Sequence, residues 1–154
     1  MDAITQPVDT IVLGRHLAEG FIPHWQAVAA DPDNPEVETG KLFTDTSKVV
    51  FSRTLTTSPW DNTSVANNLV DDVNTLKQKD GGDIITYGGS EFVSSLIQHQ
   101  LIDEFHLFVN PVALGTGMPM FQTLANTQNL SLSRSQVFDC GIVLLCYQLV
   151  HNAV

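Results

Sequence analysis

The chain has 154 residues, 43% of them hydrophobic and 16% charged, with a formal net charge of −10. A domain of that length buries about two-thirds of the surface its unfolded chain exposes, and the composition is that of an ordinary soluble globular protein. The acidic balance excludes nucleic acid and anionic membranes as partners, because both require a basic stripe; no apolar run nears the ~20 residues of a membrane helix, and residues 1–7 lack the basic and apolar regions of a signal peptide, so a cytoplasmic protein is expected.

In chain order, residues 9–13 (Asp-Thr-Ile-Val-Leu) predict a short buried strand ending at Gly14. From His16 to Ala30, Leu17, Phe21, Trp25 and Val28 recur at helical spacing. Pro23 interrupts that pattern, which predicts a short helix to Ile22 and a new turn from Pro23. Phe21 and Trp25 are expected in the core. Asp31-Pro32-Asp33-Asn34-Pro35 is a loop by composition. Residues 48–52 (Lys-Val-Val-Phe-Ser) predict a second strand, 54–62 a loop, and 63–66 a further short strand. Asn67 or Asn68 caps the next helix, with Leu69, Val73 and Leu76 on its inner face. Asp71 and Asp72 in its first turn and Lys77 and Lys79 in its last suit the helix dipole, and Asp80-Gly81-Gly82 ends it.

Residues 83–87 predict a strand that runs into Gly88-Gly89 and then a helix with Phe92, Leu96 and Ile97 inward. Residues 104–109 form another strand, and 114–119 a loop. Residues 130–138 and 142–150 read as two strands around Asp139-Cys140-Gly141, a hairpin signal. Strands alternating with helices up to residue 109, followed by a hairpin, specify an α/β sheet, mostly parallel, with an antiparallel edge.

The two cysteines, Cys140 and Cys146, form no Cys-x-x-Cys pair and read as reduced thiols of the core or a strand. The five histidines show no metal-ligand spacing, so no metal is expected. No Ser-His-Asp or Cys-His arrangement stands out in the sequence, and Asp103-Glu104 reads as a surface turn; no catalytic residue is named.

Ligands in open α/β sheets sit at the carboxyl ends of the strands. Three such ends carry suggestive residues: Gly14-Arg15-His16, Ser52-Arg53-Thr54, and Gly88-Gly89-Ser90. A glycine turn at a helix N-terminus lets backbone approach a ligand closely, with free N–H groups and partial positive charge aimed at it. With only seven basic residues in the chain, Arg15 and Arg53 at strand ends stand out. They would carry charge, and Ser52 and Thr54 would donate hydroxyls, to a phosphorylated dinucleotide.

These segments, in this order, resemble the dihydrofolate reductase-like family, in particular its bacterial branch related to the reductase domain of riboflavin biosynthesis. The carrying residues are Leu13-Gly14-Arg15-His16 with Glu19 to Trp25, then Lys48 to Leu55, Ile84 to Phe92, and Leu101 to Leu107 through Asn110-Pro111 to Leu114-Gly115-Thr116-Gly117-Met118-Pro119-Met120-Phe121. The resemblance runs from about residue 9 to the C-terminus. It implies one domain over residues 1–154, a three-layer α/β/α fold around a twisted, mostly parallel sheet with a C-terminal antiparallel hairpin, and NADPH as hydride donor. The implied substrate is a pterin, a ribosylamino-pyrimidine or a similar small heterocycle. Gly14, Arg15 and His16 would lie near the cofactor phosphates, Ser52, Arg53 and Thr54 would face the adenosine 2′-phosphate, and Gly88, Gly89, Ser90 and Glu91 would hold the pyrophosphate. The hairpin at 130–150 is the implied surface of a homodimer.

Two departures accompany the resemblance. Leu17-Ala18 stands where the family has a threonine and then an aromatic residue, so one hydroxyl near the phosphates is absent. The strand and loop that open the family's fold have no counterpart before residue 9, which leaves a place in the sheet to be filled. An enzyme, a nucleotide-binding homologue without turnover, and a homodimer completing the sheet are all compatible with these residues.

Overall fold

The computed structural model describes residues 7–121 and 124–150. Residues 1–6, which carry most of the signal-peptide argument, and His151 lie outside the described residues. The chain divides into two compact units, Met1–Val93 and Ser94–Val154.

The first unit holds β1 (Val8–Gly14), α1 (Arg15–Ala30), α2 (Val37–Asp45), β2 (Ser47–Phe51), β3 (Thr63–Ala66), α3 (Leu69–Lys77), β4 (Asp83–Thr86) and the start of α4 (Ser90–Gln98). The four strands form one parallel sheet in the order β3-β2-β1-β4. Apolar runs such as Ile11-Val12-Leu13 and Val49-Val50-Phe51 suit strands covered on both faces. Ile11, Leu13 and Val50 meet Ala18 and Ile22 of α1 and Phe43 of α2 in one core cluster. Phe21, Trp25 and Tyr87 pack against it, and ring centroids of Phe21, Trp25 and Phe43 lie 4.7 to 6.2 Å apart. Phe21 and Trp25 are therefore core residues, as the sequence reading has them. From the opposite face, Phe51 meets Phe92 at 5.4 Å.

Two helices differ from expectation. Pro23 does not divide α1, which runs unbroken from Arg15 to Ala30. Proline removes a bond to the carbonyl of Glu19, but both Pro23 and Glu19 are exposed, so water can satisfy the orphaned oxygen. The second difference is α2, a helix without a clear sequence signal, since Gly40 sits in its middle. That glycine is where α2 crosses α1: a Cβ there would meet the Ala29 backbone nitrogen at 2.7 Å and Val28 Cγ1 at 2.9 Å. Gly40→Ala would gain at most about 1 kcal/mol of helix propensity, against an overpacking cost of about 1–3 kcal/mol. The net result expected is a lower urea midpoint for the variant.

α3 follows its sequence signals. Asn68 is the N-cap and its side chain accepts from the Asp71 N–H at 3.4 Å, while Asp71 and Asp72 fill the first turn. Lys77 closes the last turn; Lys79 lies beyond it.

The second unit contains the remainder of α4, β5 (Glu104–Val109), β6 (Leu130–Val137) and β7 (Val143–Leu149). These strands form their own antiparallel sheet, in the order β5-β7-β6. The expected hairpin is present: Phe138 N–H bonds to Ile142 O at 2.9 Å, and Gly141 turns at φ +86°, a conformation that favours glycine. The antiparallel strands are thus a separate sheet rather than an edge of the parallel one. Among the described residues, β4 pairs only with β1 and β5 only with β7. The fold is mixed α/β, with a mostly parallel sheet and a separate three-stranded antiparallel sheet.

Candidate functional site

Parallel strands aim their carboxyl ends at one edge of the sheet, and all three predicted clusters lie at such ends within the first unit. Gly14 ends β1 and is also the N-cap of α1, in extended conformation (φ −73°, ψ 150°) with no side-chain cap. The first N–H groups of α1 are therefore left without a capping side chain. A Cβ on Gly14 would meet Phe92 Cβ at 2.9 Å, so only glycine lets β1 end against the first turn of α4.

Arg15 and the β2 end are joined directly. Arg15 Nη1 donates to Thr54 Oγ1 at 2.6 Å, and its Nε donates to Glu19 Oε1 at 2.8 Å. Ser52 is buried, and its Oγ accepts from the Thr54 and Leu55 N–H groups at 3.2 and 3.0 Å. The hydroxyl therefore shapes the turn that presents Arg53 and Thr54, both exposed. His16 is exposed in the first turn of α1.

Gly88 and Gly89 follow β4 with φ of +54° and +76°. The space around Gly88 is open, while a Cβ on Gly89 would lie 3.9 Å from Leu17 Cβ. The glycine turn and the start of α1 are thus neighbours, and Ser90 opens α4. Glu91 stands in that first turn, so toward an anion it can contribute only its backbone N–H. Tyr87, beside the turn, has its phenol pushed up by burial.

Arg15, Ser52 and Thr54 are linked, and Gly14, Leu17, Phe92 and Gly89 pack together. Arg53 and His16 are exposed beside these groups in the chain. The arrangement offers two helix N-termini, a glycine turn without side chains, and two guanidinium groups.

Two hollows lie elsewhere. One of about 400 Å³, lined by Asp9, Thr10, Ser47, Asn62 and Lys79, is at the opposite ends of the parallel strands. There the Gly82 N–H and the Thr10 hydroxyl hold the Asp9 carboxyl below its ordinary range. Another, of about 510 Å³, lies in the second unit among Phe105, Phe121, Leu124 and Gln128. Among the described residues, no group of three or more His, Cys, Asp or Glu side chains could hold a metal ion. Nor is any helix long and apolar enough to cross a membrane.

One constellation escapes the sequence. His106 Nδ1 lies 3.7 Å from Cys146 Sγ, and His106 Nε2 lies 2.7 Å from Glu104 Oε1. A separation of 40 residues hides it; only the β5–β7 register, which sets His106 opposite Cys146, brings it out. Glu104 is accordingly a strand residue with a partner rather than part of a surface turn.

The chain is 36% identical to the uncharacterized protein YyaP of Bacillus subtilis (strain 168) over 143 residues, 91% of this chain and 73% of that one. It is 39% identical to YwjB of the same organism over 69 residues, 45% of this chain and 40% of that one. Among solved structures it is similar to a candidate riboflavin biosynthesis protein of Shewanella sp. PV-4 (TM-score 0.71, 22% identity, 97% of this chain and 78% of that one). It is also similar to a pyrimidine reductase-like protein of Corynebacterium diphtheriae (TM-score 0.57, 15% identity, 94% and 77%). A third likeness is to the dihydrofolate reductase of Enterococcus faecalis complexed with NADP(H) and RAB-propyl (TM-score 0.59, 17% identity, 92% and 74%). These structural likenesses establish a dihydrofolate reductase-like fold. The model of the RibD C-terminal domain matches residues 1–144, and the chain belongs to that family.

Proposed function

We propose that the chain is a cytoplasmic NADPH-dependent reductase acting on a pterin, a ribosylamino-pyrimidine or a similar small heterocycle, with residues 1–154 as one reductase-like domain. The observation that carries this reading is the Arg15–Thr54 hydrogen bond of 2.6 Å, which ties the uncapped start of α1 to the Ser52-Arg53-Thr54 turn. The fit to a dinucleotide rests on this chain's own geometry: open space at Gly88 and α1 N–H groups without a side-chain cap. When bound, the nicotinamide supplies the hydride, and the protein supplies position and electrostatics. Gly14, Arg15 and His16 would bind the phosphates, and Gly88, Gly89, Ser90 and Glu91 would present backbone N–H groups to the pyrophosphate. Ser52, Arg53 and Thr54 would select the 2′-phosphate.

A second reading keeps the fold and nucleotide binding but has no turnover. It is favoured by Leu17 and Ala18, packed against and within the core, where the resemblance puts a threonine and then an aromatic residue, so that one hydroxyl near the phosphates is absent. A thermal-shift titration with NADPH and NADH tests the binding they share, since a ligand of the folded state raises the melting temperature by mass action. A shift with NADPH alone is expected. NADPH oxidation with dihydropterin and aminopyrimidine acceptors then separates the two readings.

The reading includes a homodimer through the second unit's sheet. Val109 of β5 and Leu132 and Val137 of β6, which the register puts on one face of the sheet, are between 50% and 75% exposed, an apolar surface of the kind that marks an interaction site. Sedimentation should give a dimer, and Val137→Glu should shift it toward monomer; a monomeric parent would remove this part of the proposal.

A further inference from the structure

We infer that Cys146 is a peroxide-reactive thiol, activated by His106 and Glu104, a site independent of the reductase reading. Three strands bring its parts to one level of the antiparallel sheet. His106 on β5 and Arg134 on β6 are both register partners of Cys146 on β7. Side chains of directly opposed residues share a face, and of the two it is the His106 ring that reaches the sulfur, while the exposed Arg134 guanidinium donates to Gln136. Glu104 accepts from His106 Nε2 at 2.7 Å. With its proton held there, the ring presents the Nδ1 lone pair to Sγ, 3.7 Å away.

A second observation falls at the same level. The β6–β7 register slips between Leu132 and Arg134, making Ser133 the extra residue of a bulge, and Ser133 Oγ donates to the Cys146 carbonyl at 3.0 Å. Bulges re-aim side chains and gather beside reactive sites. Plain strand packing accounts for a buried cysteine, but not for the aligned carboxylate, imidazole and thiol with a bulge beside them.

Cys146 is 3% exposed, which excludes bulky electrophiles and leaves a small hydroperoxide as the fitting reactant. In the step, the thiol proton passes to His106 Nδ1 and the sulfur attacks the near oxygen of hydrogen peroxide. The S–O bond forms, the O–O bond breaks, and the departing hydroxide takes the proton back from His106. Thiol and peroxide give a sulfenic acid and water; sulfur is oxidised by two electrons and the peroxide reduced by two.

Cys140 is the internal control, exposed on the 138–142 turn. The folded chain is treated with hydrogen peroxide, the excess is removed with catalase, the protein is unfolded in urea containing dimedone so that a buried sulfenic acid can react, and each cysteine's adduct is followed by peptide mass spectrometry. Cys146 should be labelled about tenfold faster than Cys140 despite its burial, because His106 Nδ1 stands in reach to take the thiol proton as the sulfur attacks. His106→Gln should abolish that advantage and leave the Cys140 rate unchanged. Labelling of Cys140 at an equal or higher rate overturns the proposal, as does an unchanged Cys146 rate in a folded His106→Gln protein. If that variant does not fold, Glu104→Gln, at the half-exposed end of the relay, decides: a slower Cys146 supports the proposal and an unchanged one overturns it.

Discussion

Arg53→Ala should remove most of the preference for NADPH over NADH, whereas Arg15→Ala should weaken both cofactors. The two arginines are not equivalent in the structure. Arg53 lies in the turn after β2 and is exposed. Arg15 stands at the start of α1, where the phosphates common to both cofactors would bind. A charge-assisted hydrogen bond is worth about 1.5–3 kcal/mol, so each loss should read as roughly ten- to a hundredfold in affinity. Calorimetric titration of both variants with both cofactors measures it. Equal losses of NADPH and NADH in Arg53→Ala would show that this residue does not read the 2′-phosphate. Glu19→Gln should act in the opposite direction. Glu19 occupies Arg15 Nε at 2.8 Å with both side chains about two-fifths exposed, so an arriving phosphate competes with it. As an exposed pair it contributes little to stability, and its removal should raise cofactor affinity while barely moving the melting temperature.

The sequence made the parallel unit legible because its signals are local. Apolar runs at 9–13, 48–52 and 83–87 mark β1, β2 and β4, and Asn68, Gly88 and Gly89 mark helix starts and turns through their own chemistry. The strand-end clusters follow from the rule that ligands meet such sheets at their carboxyl ends. What could not be read depends on contacts between distant residues. α2 is a helix because Gly40 admits the backbone of α1, not because its residues favour one. Pro23 is tolerated because it lands on the exposed side of α1, a fact of orientation rather than composition. The separate antiparallel sheet follows from β5 pairing with β7 instead of with the parallel strands. The Cys146–His106–Glu104 relay follows from that same register, across 40 residues of chain.

Lys48 tests how much of the parallel unit rests on one buried charge, and Lys48→Met should cost about 2–4 kcal/mol of stability. Lys48 is 3% exposed, and its ammonium donates to the carbonyls of Phe43, Thr44 and Thr46 at 2.8, 3.0 and 2.5 Å. Those oxygens close the C-terminal end of α2, where the helix dipole favours a cation and the last carbonyls lack partners. Two effects oppose each other. Burial disfavours the charged amine and lowers its pKa from 10.5, with the nearby Asp45 partly offsetting this. Methionine would relieve that desolvation, but it fills similar volume while leaving three acceptors without their donor. Unsatisfied buried groups cost about 1–3 kcal/mol each, so the lost bonds should win, and a urea titration at neutral pH would show it. The pH dependence has the opposite sense. Because the folded-state pKa lies below the unfolded one, the unfolded chain binds more protons between the lowered value and 10.5. The burden of the buried charge is therefore fully present below that window and is relieved as pH rises through it, so stability gains from this group toward alkaline pH. Lys48→Met should remove that rising component. A variant as stable as the parent at neutral pH would mean that desolvation outweighs all three hydrogen bonds, and that α2 is held by its packing on Phe43 and Gly40 alone.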